Sequence, residues 1–398
     1  MSLQSSNLNI AYISSGDAKS IHTWSGTVFF LAEALKKNGL NLYYFDNINN
    51  KKNVITYLYN KIFSIFNKII NKKYHNDRTI KNAKMAAIEI EKKLSDYDFI
   101  DVIFIPSGTL QMAFLRTNKK KIIYNDATFN SMIDYYNGFT NLCSKTLKEG
   151  HIIEKNAFEN ADLLLFSSDW AANSAINDYN INPLKVKVIP IGANIEEEPT
   201  DNDIAEIIEK RCNSRCNLLF IGIDWERKGG KIALEITKEL YFKNINVHLD
   251  IVGIDDASMN FPKYVTNHGF IDKNTEDGKN KIINLYKNAQ FFLLPTRQEC
   301  FGIVFSEASA YGLPSISTKT GGVETAIKDN INGMTFDISD PPIKYSDYIE
   351  KLINNQNEYK KLCFSAYNYY RKNLNWNVVG KQIVNLINEI HEFKNVIT

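Results

Sequence analysis

The sequence predicts an α/β protein made of two doubly wound, Rossmann-like domains facing each other across a cleft. Three observations predict this. Short apolar runs of strand length alternate with longer segments of helical spacing, the alternation restarts near residue 190, and 398 residues exceed one ordinary core.

In chain order, "LNIAYISS" reads as the first strand, followed by a polar loop and the helical "TVFFLAEALKKNG", which stops at Gly39. "LNLYYF", "DVIFIPS", "KKIIYND" and "ADLLLFSS" are further strand-like runs, with segments between them long enough for helices. After "KVKVIPIGAN" come the strands "NLLFIGI", "VHLDIVG", "FFLLPT" and "PSISTK", with "GGKIALEITKELYFK" and "KIINLYKNAQ" as helices. Near-continuous apolar strands of this kind belong to parallel sheets covered on both faces. Pro190 and Gly192 punctuate the boundary, which gives domains 1–190 and 191–375. The terminal stretch 376–398 reads as an amphipathic helix able to pack back on the first domain.

The net charge of +2 argues against a nucleic-acid partner. No apolar run of bilayer length is present, and the N-terminus lacks the basic-then-apolar pattern of a signal peptide. Five scattered cysteines fit a reducing compartment, so a cytoplasmic protein is expected. Cys212 and Cys216 lack a second ligand pair, so no metal site is expected there.

In open parallel sheets, ligands sit beyond the carboxyl ends of the strands. There "WSGT" places Gly26 at a helix start, where backbone N–H groups can meet a phosphate. An ordinary helix start with Ser25 as N-cap is the plainer alternative. No G-x-G-x-x-G is present, which weighs against a dinucleotide-binding dehydrogenase. "DWERKGGK" puts Arg227, Lys228 and Lys231 around two glycines, a basic set suited to a diphosphate, although a solvated charged loop would look the same.

"TRQECFGIVFSEASAYGLP" is the most informative stretch. A helix starting near Gly302 puts Glu307 about one and a half turns inside at ~3.6 residues per turn, while Glu299 stays in the loop. The N–H groups of Phe301, Gly302, Ile303 and Val304 would face the ligand at the positive end of the helix. Two carboxylates, which only accept hydrogen bonds, flanking a phosphate-binding turn point to a ligand with phosphate and hydroxyl-rich parts. A nucleotide sugar has both.

The stretch "LYKNAQFFLLPTRQECFGIVFSEASAYGLPSISTKTGGVETAI" resembles the donor-binding region of glycosyltransferase family 4, retaining enzymes of GT-B fold. The two-glutamate motif E-x7-E, the aromatic-glycine step, the Gly-x-Pro turn and the Gly-Gly loop carry the likeness. It extends more weakly to "FIGIDWERKGGKIALEI" and "WSGTVFFLAEALKKNG", and leaves residues 45–95 uncovered.

The resemblance implies that Glu307 binds the ribose of a UDP- or GDP-sugar and that Glu299 contacts the sugar near the reacting carbon. Phe301 to Val304 would cradle sugar and diphosphate, Lys228 and an arginine would neutralise the diphosphate, and Gly26 would close over the phosphates. It implies no metal, since no D-x-D pair occupies a suitable loop, and a sugar, glycolipid or glycan acceptor. The family's arginine after the "FIG" strand is replaced here by Ile223, with Arg227 four residues on as the candidate substitute. Where the family often has a histidine near the acceptor, "IIYNDATF" offers Asp126.

Residues 51–93 carry eleven Lys/Arg against three acidic residues, with aromatic and branched residues interleaved. Such a basic amphipathic stretch suits an anionic membrane surface. A helix with its apolar side on the core and lysines in water is the alternative. The readings that compete with a transferase are a nucleotide-sugar epimerase and a non-catalytic donor-binding scaffold subunit.

Overall fold

A computed structural model describes residues 8–48, 61, 65, 71–212, 215–255 and 259–395. The chain divides into two compact units, Met1–Pro190 with Val379–Thr398, and Ile191–Val378.

In the first unit, β1 (Asn9–Ile13), β2 (Asn41–Phe45), β3 (Val102–Pro106), β4 (Lys120–Asn125), β5 (Leu163–Phe166) and β6 (Val186–Val188) form one sheet. Its order is β2-β1-β3-β4-β5-β6 and every pairing is parallel. The second unit holds β7 (Cys216–Ile221), β8 (Val247–Val252), β9 (Val265–Asn267), β10 (Phe291–Leu294), β11 (Ser315–Thr318) and β12 (Gly333–Phe336). These run parallel in the order β12-β11-β10-β7-β8-β9. Every residue of β3, β5, β10 and β11 is buried, as helices on both faces require.

The strand orders fix where a ligand can sit. Winding reverses between β1 and β3 in the first sheet and between β7 and β10 in the second, and crevices open beyond the carboxyl ends at such reversals. The helix starts differ accordingly. Thr79, Ser168 and Thr275 accept hydrogen bonds from Asn82, Ala171 and Gly278 N–H groups and so cap the helices Ile80–Leu94, Asp169–Tyr179 and Glu276–Asn288. The helices that follow β1, β7 and β10 start instead on left-handed glycines with no side-chain cap. These are Gly26 (φ 86°), Gly229 (φ 75°) and Gly302 (φ 86°). Their first N–H groups have no partner within the helix.

Two anchors hold the second unit. Arg211, 2% exposed, donates to the carbonyls of Tyr286 (2.6 Å), Gly312 (2.9 Å) and Lys287 (3.1 Å), tying together the C-terminal ends of two helices. Trp376 donates through its indole to Asn194 (2.8 Å). The helix beginning at Trp376 continues to Asn395, and in the first unit its Gly380 lies against Ala34, where an added Cβ would come within 2.8 Å of the Ala34 carbonyl oxygen.

Much of the basic stretch 51–93 lies outside the described residues, and the membrane-facing reading of it falls there. In the described helix Ile80–Leu94, Ala83, Ala86, Ala87, Ile90 and Leu94 enter the core while Lys81 and Lys84 are exposed. Among the described residues no helix is long and apolar enough to cross a membrane.

Candidate active site

The loops after β7 and β10, residues 222–229 and 295–302, flank the reversal in the second sheet and are joined along their length. The Arg227 carbonyl accepts from Arg297 N–H (2.8 Å) and Thr296 Oγ1 (3.2 Å), and the Arg227 guanidinium donates to the Gln298 carbonyl (3.1 Å). Gly229 makes this approach feasible: a Cβ there would stand 1.9 Å from the Pro295 carbonyl oxygen. Gly222 similarly leaves room for the stem of Lys228, whose Cγ would lie 2.8 Å from an added Cβ.

At the centre of this junction Lys228 Nζ donates to Glu299 Oε2, with side chains 12% and 11% exposed. Little water reaches the pair, so each charge depends on the other for compensation. Arg227 faces the Gln298 carbonyl and the Asp224 carboxylate (3.4 Å), whereas Ile223 is 76% exposed. Beyond Glu299 the chain buries Phe301, turns through Gly302 and enters the helix Ile303–Ala310. A side chain at 302 would strike the Phe305 ring, at 2.4 Å from an added Cβ.

Glu307, the fifth residue of that helix, is 3% exposed, so it is no surface carboxylate. Tyr286 Oη donates to Oε2 (2.9 Å), and Lys273 Nζ reaches Oε2 (3.0 Å) and Oε1 (3.2 Å). Burial and the Glu307 charge push the Tyr286 hydroxyl well above its usual range, so it stays protonated and remains a donor. Tyr311 stacks on Tyr286 (5.5 Å between centroids, 11° between planes), and burial, then Glu307, raises its hydroxyl to about 12.

In the first unit Trp24, Ser25 and Gly26 all have left-handed φ (49°, 54° and 86°). Ser25 is therefore not the N-cap of a conventional helix start; Gly26 occupies that position without a side-chain cap. The run turns the Trp24 indole toward β4, where Nε1 donates to Asp126 Oδ2 (3.1 Å) and the ring lies edge-on to Tyr124 (5.9 Å, 69°).

Thus Arg227, Lys228, Glu299 and the Phe301–Val304 turn share one junction, with Glu307 on the helix that leaves it. Gly26 and Asp126 lie at the carboxyl end of the other sheet, linked through Trp24. Sequence reasoning missed Lys273, Tyr286 and Trp24. Tyr286 could have been found, because it lies in the helix that leads into β10, just ahead of the two-glutamate stretch. A lysine in a polar turn carries no such signal, and nothing marks a tryptophan for a left-handed turn.

Residues 209–369 match the model of the family described as glycosyl transferases group 1, a span that contains both loops and both glutamates. That part of the chain is similar to group 1 glycosyl transferases. A D-inositol 3-phosphate glycosyltransferase of Corynebacterium diphtheriae is 23% identical over 249 residues, 58% of this chain and 57% of that one. The chain thus spans little more than half the length of such curated relatives. An uncharacterized 41.2 kDa protein in the cps region of Klebsiella pneumoniae is 26% identical over 74% of this chain and 81% of its own. The similarity in fold reaches beyond that span: HepE of Anabaena, solved in complex with UDP, superposes with a TM-score of 0.65 at 12% identity, covering 96% of this chain and 100% of that one. Two Rossmann-like units in one chain are the GT-B architecture.

Proposed function

We propose that the protein is a retaining glycosyltransferase that moves a sugar from a nucleoside diphosphate sugar to a hydroxyl acceptor without a metal, in polysaccharide, glycolipid or glycoconjugate synthesis. The observation that carries the reading is the junction of the two switch-point loops, which sets Lys228 and Glu299 beside an uncapped helix start and leads to the buried Glu307. Helix N–H groups and a lysine meet a diphosphate; a buried carboxylate held by Tyr286 meets ribose hydroxyls. The UDP bound to HepE of Anabaena supports a nucleotide ligand for a chain of this fold.

In the proposed reaction the bond between the anomeric carbon and the diphosphate oxygen breaks, leaving an oxocarbenium-like centre. The acceptor oxygen bonds that carbon on the same face, and its proton passes to an oxygen of the departing diphosphate. Lys228 and the N–H groups at Ile303 and Val304 stabilise the charge growing on the leaving group. Glu299 orients the sugar hydroxyls, Glu307 fixes the ribose, and Arg227 braces the loop that carries Glu299. In the first unit Trp24 holds the Asp126 carboxylate in place as a hydrogen-bond acceptor for a hydroxyl.

A calorimetric and thermal-shift screen of nucleoside diphosphates and their sugars, without metal, tests the reading on wild type and Glu307→Ala. One diphosphate should stabilise the wild type and fail with the variant. No stabilisation by any nucleotide overturns the donor site. Binding with no turnover for any acceptor favours a scaffold, and conversion of donor alone an epimerase.

A further inference from the structure

The carboxylate assigned above to the ribose is already occupied by groups of its own chain. An ionised carboxylate has about four acceptor positions. Tyr286 takes one on Oε2, and Lys273 takes one on each oxygen. One position remains, on Oε1. A ribose that donates both its 2′- and 3′-hydroxyls needs two.

One of the two resident donors must therefore yield, and their surroundings say which. Tyr286 is 1% exposed, packed between Phe292 and Tyr311, and fixed through its carbonyl by Arg211. Lys273 is 42% exposed at its side chain, and among the described residues Glu307 is its only hydrogen-bond partner. The turn that bears Lys273 is braced by Asp272. The Asp272 carboxylate accepts from Asn274 N–H (2.9 Å) and Nδ2 (2.6 Å), and its carbonyl accepts from Thr275 Oγ1 (3.0 Å). The backbone is held, and the lysine side chain is free to swing on its flexible stem.

We propose that Lys273 is an exchangeable partner of Glu307: it compensates the buried carboxylate until the two ribose hydroxyls replace it, and so sets the discrimination between ribo- and deoxyribonucleotides. This rests on the donor-site reading of Glu307. A carboxylate this buried is costly to leave unpaired, so the site needs a resident cation. That cation competes with the ligand, and apparent affinity falls by the fraction of molecules in which the lysine has let go. A 2′-deoxynucleotide brings one hydroxyl, which the open position on Oε1 can take without displacing the lysine. Competition therefore acts on the ribonucleotide.

The test is calorimetry on the full chain, comparing wild type, Lys273→Met and Lys273→Arg with UDP, 2′-deoxy-UDP, GDP and 2′-deoxy-GDP. The methionine variant should bind the preferred ribonucleotide about three- to tenfold more tightly, with its deoxy counterpart nearly unchanged, while arginine stays near wild type. Lys273→Gln reads the same competition if the methionine variant does not fold. Ribonucleotide affinity that is unchanged or weaker without the lysine, or an equal gain for both sugars, overturns the proposal while leaving the donor site standing. A wild type that binds no nucleotide overturns both.

Discussion

Lys228 and Glu299 stand 71 positions apart in the chain, on the loops after β7 and β10, and meet as an ion pair at the winding reversal of the second sheet. Either residue alone would leave a poorly hydrated charge. Together they fix the spacing of two loops whose backbones are already joined through Arg227, and they hold a cation beside an uncapped helix start.

Lys228→Met should destabilise the fold by somewhat less than the ~3–5 kcal/mol of a fully buried pair, because both side chains keep some contact with water. Lys228→Met combined with Glu299→Gln should recover most of that loss, while nucleoside diphosphate affinity stays down by about tenfold or more. Denaturant melts and calorimetry on the two single variants and the double variant separate the effects. A double variant as unstable as the single would show that the pair is not the source of the stability.

Tyr286→Phe removes one donor from Glu307 and keeps the ring between Phe292 and Tyr311. It should cost ~1–3 kcal/mol of stability and weaken nucleotide binding, since the carboxylate proposed for the ribose loses its fixed support. Unchanged nucleotide affinity in titration calorimetry would remove Tyr286 from the site.

Gly229→Ala and Gly269→Ala should differ sharply, although both residues have positive φ (75° and 63°). A Cβ at 269 meets nothing within 4 Å, so the cost there is the ~1–2 kcal/mol of a left-handed alanine. A Cβ at 229 would overlap the Pro295 carbonyl oxygen and force the two loops apart. Thermal melts should rank Gly229→Ala well below Gly269→Ala, and only the former should lose nucleotide binding.

Burial, then the Arg215 charge, lowers the His248 imidazole below its usual 6.5, against the opposing pull of Asp250. His248 lies beside Thr266 Oγ1 (2.9 Å). Below pH ~6.5 the unfolded chain takes up a proton that the folded chain resists, so this contribution to stability is present above that pH and is lost as pH falls. Urea melts between about pH 5 and 8 should show a slope on the acid side that His248→Gln reduces. An identical slope in the variant would assign it to other groups.

Much of the architecture was legible in the sequence because burial on both faces leaves continuous apolar strands: "VIFIP", "LLLF" and "FFLL" can hardly be anything else. The glycines at 229 and 302 were legible because a loop-to-helix turn with a close neighbour leaves few choices of residue. Gly26 was legible because it opens a helix with left-handed φ, and the glutamates by their eight-residue spacing across such a turn. The partners were not. That Glu299 meets Lys228 and Glu307 meets Lys273 depends on strand order, which local pattern does not encode. The left-handed Trp24 and Ser25 were equally hidden, since neither residue type favours that conformation.

Arg211 bears on whether the second unit can be cut. Its guanidinium is satisfied by carbonyls 75, 76 and 101 positions downstream, and no shorter piece of chain supplies them all. A fragment ending before Gly312 would carry a cation into the interior with part of its hydrogen bonding missing. The N-terminal piece of a split-protein reporter broken between Lys287 and Gly312 should therefore stay unfolded until the piece that carries Gly312 is added. The buried arginine makes the unit indivisible there.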